Sequence, residues 1–199
     1  FSSFLLQAQA SKAKVIGLAN AGGDTTNAIK QAAEFGIVAH GQKLAALLLF
    51  INDVHSLGLK TANGLNFTES FYWDLNDKTR AWSKRFSEKA SKHAYPSMTQ
   101  AGVYAAVRHY LKVLEAMGGN PHDGAKVVAK MKETVAEDDL FGKSEIRADG
   151  RRMVPAYLFE VKKPEESKGP WDYYKLIAKL DPKDVAVPLD QNPCPLLKK

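Results

Sequence analysis

Five histidines, one cysteine and one glycine-bearing turn are the residues of this chain with the means to do chemistry. His40, His55, His93, His109 and His122 include no pair four residues apart on one helix, and no His-Glu-x-x-His occurs, so the chain offers no zinc-hydrolase ligand set. No Gly-x-Ser-x-Gly elbow occurs either. Cys194 stands in a proline-rich stretch, a poor place for a thiol nucleophile. A single cysteine forms no internal disulfide and no cysteine metal cluster. It is either an unpaired small residue or the partner of a cysteine outside these residues. Asp138-Asp139 precede Leu140-Phe141-Gly142, but no glycine-rich loop or catalytic-loop pattern accompanies them, so they are no kinase motif. The sequence therefore assembles no catalytic, metal or cofactor set.

The turn Asn20-Ala21-Gly22-Gly23-Asp24 joins an apolar run to a helical pattern. It is neither a Walker loop nor a Gly-x-Gly-x-x-Gly fingerprint. Asp24 also puts an acid where a pyrophosphate would rest on the helix N-terminus. Two readings of the glycines stay open: a tight turn, or a place where backbone comes close to an occupant.

Composition narrows the class. The chain has 199 residues, of which 45% are hydrophobic and 25% charged. That suffices for a core in one domain or two small ones. The net charge of +6 is spread rather than clustered, with Lys78, Arg80, Lys84, Arg85 and Lys89 on one solvated helix face, so nucleic acid is not expected as a partner. No apolar run approaches the ~20 residues of a membrane span.

The elements that must position these residues follow from periodicity. Residues 1–12 read as a helix, Val15–Ala19 as a buried strand, and Thr25–Phe35 as a helix with Asp24 as N-cap and Gly36 as C-cap. Leu47–Ile51 and Leu65–Thr68 read as further strands. Apolar strands separated by helices predict an α/β fold, a parallel sheet covered on both faces. Its strand ends, and so the turns at Asn20–Asp24 and Asn52-Asp53, fall on the ligand-binding edge. After Phe71-Tyr72-Trp73, aromatics that are either core or cleft wall, come three helices in a row. They are Asp77–Lys92, then a long helix opened by a Ser97/Gln100 capping box behind Pro96, then Asp123–Val135. The long helix carries the apolar stripe Val103, Val107, Tyr110, Leu111 and Leu114 and ends at Gly118-Gly119. A turn at Asp149-Gly150 leads to an alternating strand through Tyr157, Phe159 and Val161, then an extended aromatic segment, "GPWDYYKLIAKL", and a tail with four prolines. An opening amphipathic helix with no strand before it predicts that the chain begins mid-fold.

The segments "FSSFLLQAQASKAKVIGLANAGGDTTNAIKQAAEFGI", "LLLFIND", "ANGLNFTESFYW", "MTQAGVYAAVRHYLKVLEAMGG" and "GKSEIRADGRRMVPAYLFEVKK" occur in an order that resembles the type I periplasmic solute-binding proteins of ABC importers, the branched-chain amino acid group. The likeness covers essentially the whole chain, but only the second half of such a protein. It implies two Rossmann-like lobes of parallel sheets flanked by helices. Residues 1–68 would be the latter part of lobe two, residues 69–155 the returning part of lobe one, and residues 156–199 a crossover back to lobe two with the C-terminal tail.

The resemblance also implies a function and a site. A periplasmic protein without enzymatic activity or cofactor would bind a branched-chain amino acid, or an aromatic or aliphatic carboxylic acid, between hinged lobes, and an ABC permease would recognise the closed form. The alternative it leaves open is a ligand-sensing domain of the same fold in a receptor or regulator. The contacts implied are Asn20, Ala21 and Gly22 after the first strand, Asp53 after the next as the acid for an α-ammonium group, and Met98 and Thr99 at the start of the long helix. The small Ala21, where amino acid binders carry a bulky aromatic, leaves room for a larger ligand. Further partners implied are the missing N-terminal half and, in an oxidising compartment, a cysteine in that half for Cys194.

Overall fold

The computed structural model describes residues 1–194 and Leu197. The chain forms two compact units. One comprises residues 1–69 and 157–179, the other residues 70–156 and the described residues from 180 onward. Of the described residues from 156 onward, 157–179 fall in the first unit and the others in the second. The last part of the proline-rich tail lies outside the described residues.

The first unit opens with helix α1 (Ser2–Ala10), strand β1 (Val15–Leu18), helix α2 (Gly22–Glu34) and strand β2 (Lys43–Ala46). Helices α3 (Ile51–Leu57) and α4 (Leu59–Ala62) and strand β3 (Asn66–Glu69) follow. The sheet is completed from the far end of the chain, by β6 (Ala156–Val161) and β7 (Tyr174–Leu180), in the order β1-β2-β3-β6-β7. β1, β2 and β3 are mutually parallel, and β6 runs antiparallel to β3 with Phe67 opposite Phe159. Ile16, Leu18, Leu44, Ala46, Phe67 and Phe159 are buried. With Ala28, Ile29 and Ala32 of α2 and Ile51 and Val54 of α3 they supply the apolar core. The parallel-rich sheet flanked by helices is the one the sequence predicts, and among the described residues part of one face is exposed. Val15 is 56% exposed, and Gly17 and Thr68 are exposed. Strand alternation here separates a packed face from an open one.

Two boundaries differ from the sequence reading. The run Leu47–Ile51 is not a strand; β2 ends at Ala46, Leu47 and Leu48 are exposed, and Ile51 already begins α3. A short apolar run does not distinguish a strand from the approach to a buried helix. The deciding signal was Asp53, whose Oδ2 accepts from the Phe50 N–H at 2.9 Å and so caps α3. Helix α2 starts at Gly22 rather than Thr25, with Ala21 as N-cap, so Asp24 sits inside the first turn instead of capping it. There it still meets the positive end of the helix dipole favourably. Gly36 ends the helix in the left-handed conformation, φ +67°.

The second unit, after the Ser70–Leu75 turn, holds α5 (Asp77–Lys89), α6 (Met98–Ala116) and α7 (Gly124–Glu133), the hairpin β4 (Ala136–Asp138) and β5 (Gly142–Ser144), and the short α8 (Pro182–Val185). Asn76 caps α5 by accepting from the Lys78 and Thr79 N–H groups. Ser97 and Gln100 cap α6 reciprocally. Asp138 closes the hairpin turn, its Oδ1 accepting from the Leu140 and Phe141 N–H groups at 2.8 Å each. The pattern around Leu140-Phe141-Gly142 is therefore turn chemistry. The stripe read on α6 is also corrected: its buried residues are Ala101, Ala105, His109 and Val113, while Val103, Val107 and Leu111 are 64%, 50% and 55% exposed.

Candidate functional site

Parallel pairing puts the C-terminal ends of β1, β2 and β3 on one edge of the sheet, with Leu18 opposite Ala46. Three sets of residues follow from that edge: Asn20–Gly22 after β1, Leu47–Asp53 after β2, and Glu69 at the end of β3. After β1 the backbone turns sharply. Ala21 is extended, with φ −144° and ψ 160°. Gly22 is left-handed, with φ +56°. The left-handed conformation costs a residue with a Cβ roughly 1–2 kcal/mol. Asn20 Oδ1 accepts from Thr25 Oγ1 at 2.9 Å, which ties the turn to the first turn of α2. Among the described residues no side chain caps that helix, so its leading amides face outward beside Ala21, Gly22 and Gly23, all exposed. A Cβ built on Gly22 or Gly23 meets nothing within 4 Å, so the space in front of the turn is open.

Asp53 reaches this edge in a changed role. It lies in the first turn of α3 rather than in a free turn, and one carboxylate oxygen is engaged by the Phe50 amide. Met98 and Thr99 begin α6 in the second unit. Met98 packs against the aromatic core of Phe71, Trp82, Ala101 and Leu140, and its Sδ accepts from Ser70 Oγ at 3.8 Å. Thr99 is exposed, its hydroxyl 2.6 Å from Ser97 Oγ, and borders a hollow of about 410 Å³ with Trp82, Phe86 and Tyr104. Phe71 and Tyr72 are buried, and Phe71 meets Trp82 edge-on, with ring centroids 5.9 Å apart and planes at 85°. Of the aromatics at the chain switch, these two are therefore core.

Glu69 was missed in the sequence. It is buried at the end of β3, accepts from the Tyr174 hydroxyl at 3.2 Å, and pairs in register with Tyr157, whose phenol is pushed up by burial. Its signal was alternation: Glu69 falls two residues after Phe67, on the packed face. A second missed group is His55, stacked on Trp171 (4.0 Å, 7°) with Nδ1 2.8 Å from the Tyr173 hydroxyl. Among the described residues no three His, Cys, Asp or Glu side chains are grouped to hold a metal ion. No described helix is long and apolar enough to cross a membrane.

Comparison with known proteins gives the edge a context. A family model described as periplasmic binding protein matches residues 1–170. A periplasmic binding protein from Burkholderia mallei is 49% identical, with a TM-score of 0.89 over 100% of this chain and 51% of its own. A branched-chain amino acid ABC transporter periplasmic ligand-binding protein from Burkholderia xenovorans is 39% identical, with a TM-score of 0.86 over 100% of this chain and 52% of its own. A solute-binding protein of an ABC transporter from Rhodopseudomonas palustris, solved with p-hydroxybenzoic acid, shares the fold at 21% identity, with a TM-score of 0.76 over 91% of this chain and 49% of its own. The chain spans about half the length of these proteins. No curated protein sequence matches it.

Proposed function

We propose, from the premise that this chain belongs to the periplasmic binding protein family, that the whole protein is the extracytoplasmic, periplasmic solute-binding component of an ABC importer. Its ligand is a small carboxylic acid, a branched-chain amino acid or an aromatic or aliphatic acid, held between two hinged lobes and delivered to a permease. It works by binding alone, with no chemical step. The observation that carries the reading is the edge after β1. There an uncapped helix N-terminus, an open glycine turn and the small Ala21 stand together. The outward amides beside Gly22 and Gly23 can donate hydrogen bonds to a carboxylate; Asp24 in the same first turn already sits at the favourable end of the dipole, so the reading rests on the amides and the open turn and not on the dipole. Asn20, Ala21 and Gly22 are assigned to the carboxylate end. Asp53, partly committed to its cap, is assigned to an ammonium group where the ligand has one. Met98 and Thr99 are assigned to the contact from the other lobe.

The branched-chain amino acid class is supported by the name of the Burkholderia xenovorans relative, the aromatic acid class by the room beside Ala21 and by the p-hydroxybenzoic acid bound within the same fold. The test is a thermal-shift screen of the full-length protein against leucine, isoleucine, valine, benzoate and 4-hydroxybenzoate. A ligand at a hundredfold its Kd stabilises by about 2.7 kcal/mol. A shift with one class selects it; no shift with either overturns the carboxylic acid reading.

A further inference from the structure

The first unit carries a hollow of about 430 Å³ at the N-terminal ends of its parallel strands. That is the end opposite the edge after β1. Leu44, at the start of β2, and Leu65, just before β3, line the hollow, while Ala46 and Glu69 end those strands at the other edge. At ~3.3 Å per residue, strands of this length hold the two edges roughly 10 Å apart. The volume falls within the ~300–1,000 Å³ of small-molecule sites. Its floor is apolar, since Ile29, Leu44 and Leu65 are each 1% exposed. Val38 forms one wall and is packed closely, because a Cβ on Gly64 would come within 3.3 Å of Val38 Cγ1.

The lip of the hollow is basic. Lys60 of α4 and Lys163 after β6 both border it, and both are exposed. Each stands on anchored backbone. Asn63 Nδ2 donates to the Lys60 carbonyl, and the Lys163 N–H donates to Glu166 Oε2, both at 2.8 Å. In this unit Lys43, Lys162 and Lys175 pair with Glu160, Asp172 and Glu166. Lys60 and Lys163 pair with no carboxylate among the described residues, and Glu166 is engaged by the Lys163 amide and by Lys175. Lys60 lies in the last turn of α4, where a cation meets the helix dipole favourably. Lys163 has no such local reason. It precedes the single helical turn Pro164–Glu166, at the end where the dipole favours an anion. Two ammonium groups on one hollow repel each other, and an anion between them replaces that repulsion with two attractions.

We propose that this hollow is a second binding site, distinct from the edge after β1, for a small carboxylate with an aliphatic body. The carboxylate lies between the Lys60 and Lys163 ammonium groups, and the body lies against Val38 over the floor of Ile29, Leu44 and Leu65. A bare inorganic anion would gain the two lysines but lose water to a floor that offers no donor. A neutral apolar molecule would gain the floor and nothing from the lysines. The inference rests on the first unit alone and not on the ligand held between the lobes.

The test is methyl-resolved NMR of the full-length protein titrated with hexanoate. The Val38, Leu44 and Leu65 methyl groups report the hollow, and those of Leu47 and Leu48, exposed beyond β2, report the opposite edge. Hexanoate should shift the hollow set along one saturating curve. Hexanamide, with the same body and no charge, should bind there about tenfold more weakly. Lys60→Met with Lys163→Met should raise the hexanoate Kd at the hollow by about tenfold, whereas Lys60→Arg with Lys163→Arg should change it much less. No saturable shift of the hollow set at millimolar hexanoate overturns the site. Shifts confined to Leu47 and Leu48 place hexanoate between the lobes, which overturns the second site and leaves the proposed function standing. Equal affinity for hexanamide, an unchanged Kd in the methionine pair, or equal losses in the methionine and arginine pairs overturns the role of the two lysines.

Discussion

Replacing Arg152 by alanine should destabilise the second unit by about 3 kcal/mol, and the structure shows how that number arises. Arg152 Nη1 sits 2.7 Å from Asp138 Oδ2, with side-chain exposures of 19% and 3%. The guanidinium also donates to Ser144 Oγ at 2.7 Å and to the Gly142 carbonyl at 3.2 Å, and lies 5.1 Å from the Phe141 ring centroid. Breaking a buried pair by removing one partner costs ~3–5 kcal/mol, because the other charge stays buried without compensation. Asp138 keeps two backbone N–H donors on Oδ1, which places the loss at the lower end. Asp138→Asn removes the charge and retains an acceptor, so the double variant Asp138→Asn/Arg152→Ala should be less damaged than the sum of the single ones. Urea unfolding of all four proteins gives the coupling energy. Arg152→Lys should recover only part of the loss, since an ammonium cannot make the forked contacts. A cost below about 1 kcal/mol for Arg152→Ala, the range of an exposed pair, or strict additivity in the cycle, would refute the reasoning.

Burial pushes the Asp172 carboxyl up, but the hydrogen bonds from Lys162 and from the Lys168 amide, with the charges of both lysines, outweigh it and hold the carboxyl below its usual range. The stability it contributes is therefore present above the unfolded value of ~3.9 and is lost as pH falls below that towards the folded value. Lys162→Met should flatten this part of an acid-unfolding curve, and an unchanged curve would remove the pair from the account. Gly22→Ala keeps open space around the new methyl but must hold φ at +56°. A loss of about 1 kcal/mol in urea unfolding is expected; no loss means that the turn relaxes. Ala21→Trp should weaken ligand binding by roughly 1–3 kcal/mol through overpacking, read by calorimetry on the full-length protein; unchanged affinity would take Ala21 out of the site.

Much of the architecture was legible because strand alternation and capping chemistry are local. β1, the Ser97/Gln100 box, the Gly36 stop and the strand through Phe159 all depend on residues close in sequence. Local pattern failed where a tertiary neighbour decides. Leu47 and Leu48 look like strand interior yet are exposed, and Val103, Val107 and Leu111 look buried yet face outward among the described residues. Which face of these elements is packed depends on neighbours distant in sequence, and the local pattern does not carry them. Asn20, Ala21 and Gly22 were readable as a turn from their glycine and strand-end position. Glu69 was not, because its partner, Tyr174, is 105 residues away.

The discontinuity of the first unit has a kinetic consequence. Phe67 and Phe159 face each other across β3 and β6, so the sheet cannot be completed until the whole stretch between them has left the ribosome. Closing a flexible loop of about ninety residues costs about 4 kcal/mol from (3/2)RT ln n alone. Glu69 and Tyr157 are register partners, however, and they flank the residues that fold as the second unit. Once residues 70–156 have condensed, their ends are already neighbours and most of that closure entropy has been spent. The first sheet should therefore form late, at a rate set by how fast the inserted helices find their own core, and a destabilising change at Phe71 or Ala101 should slow the pairing of strands that neither residue belongs to.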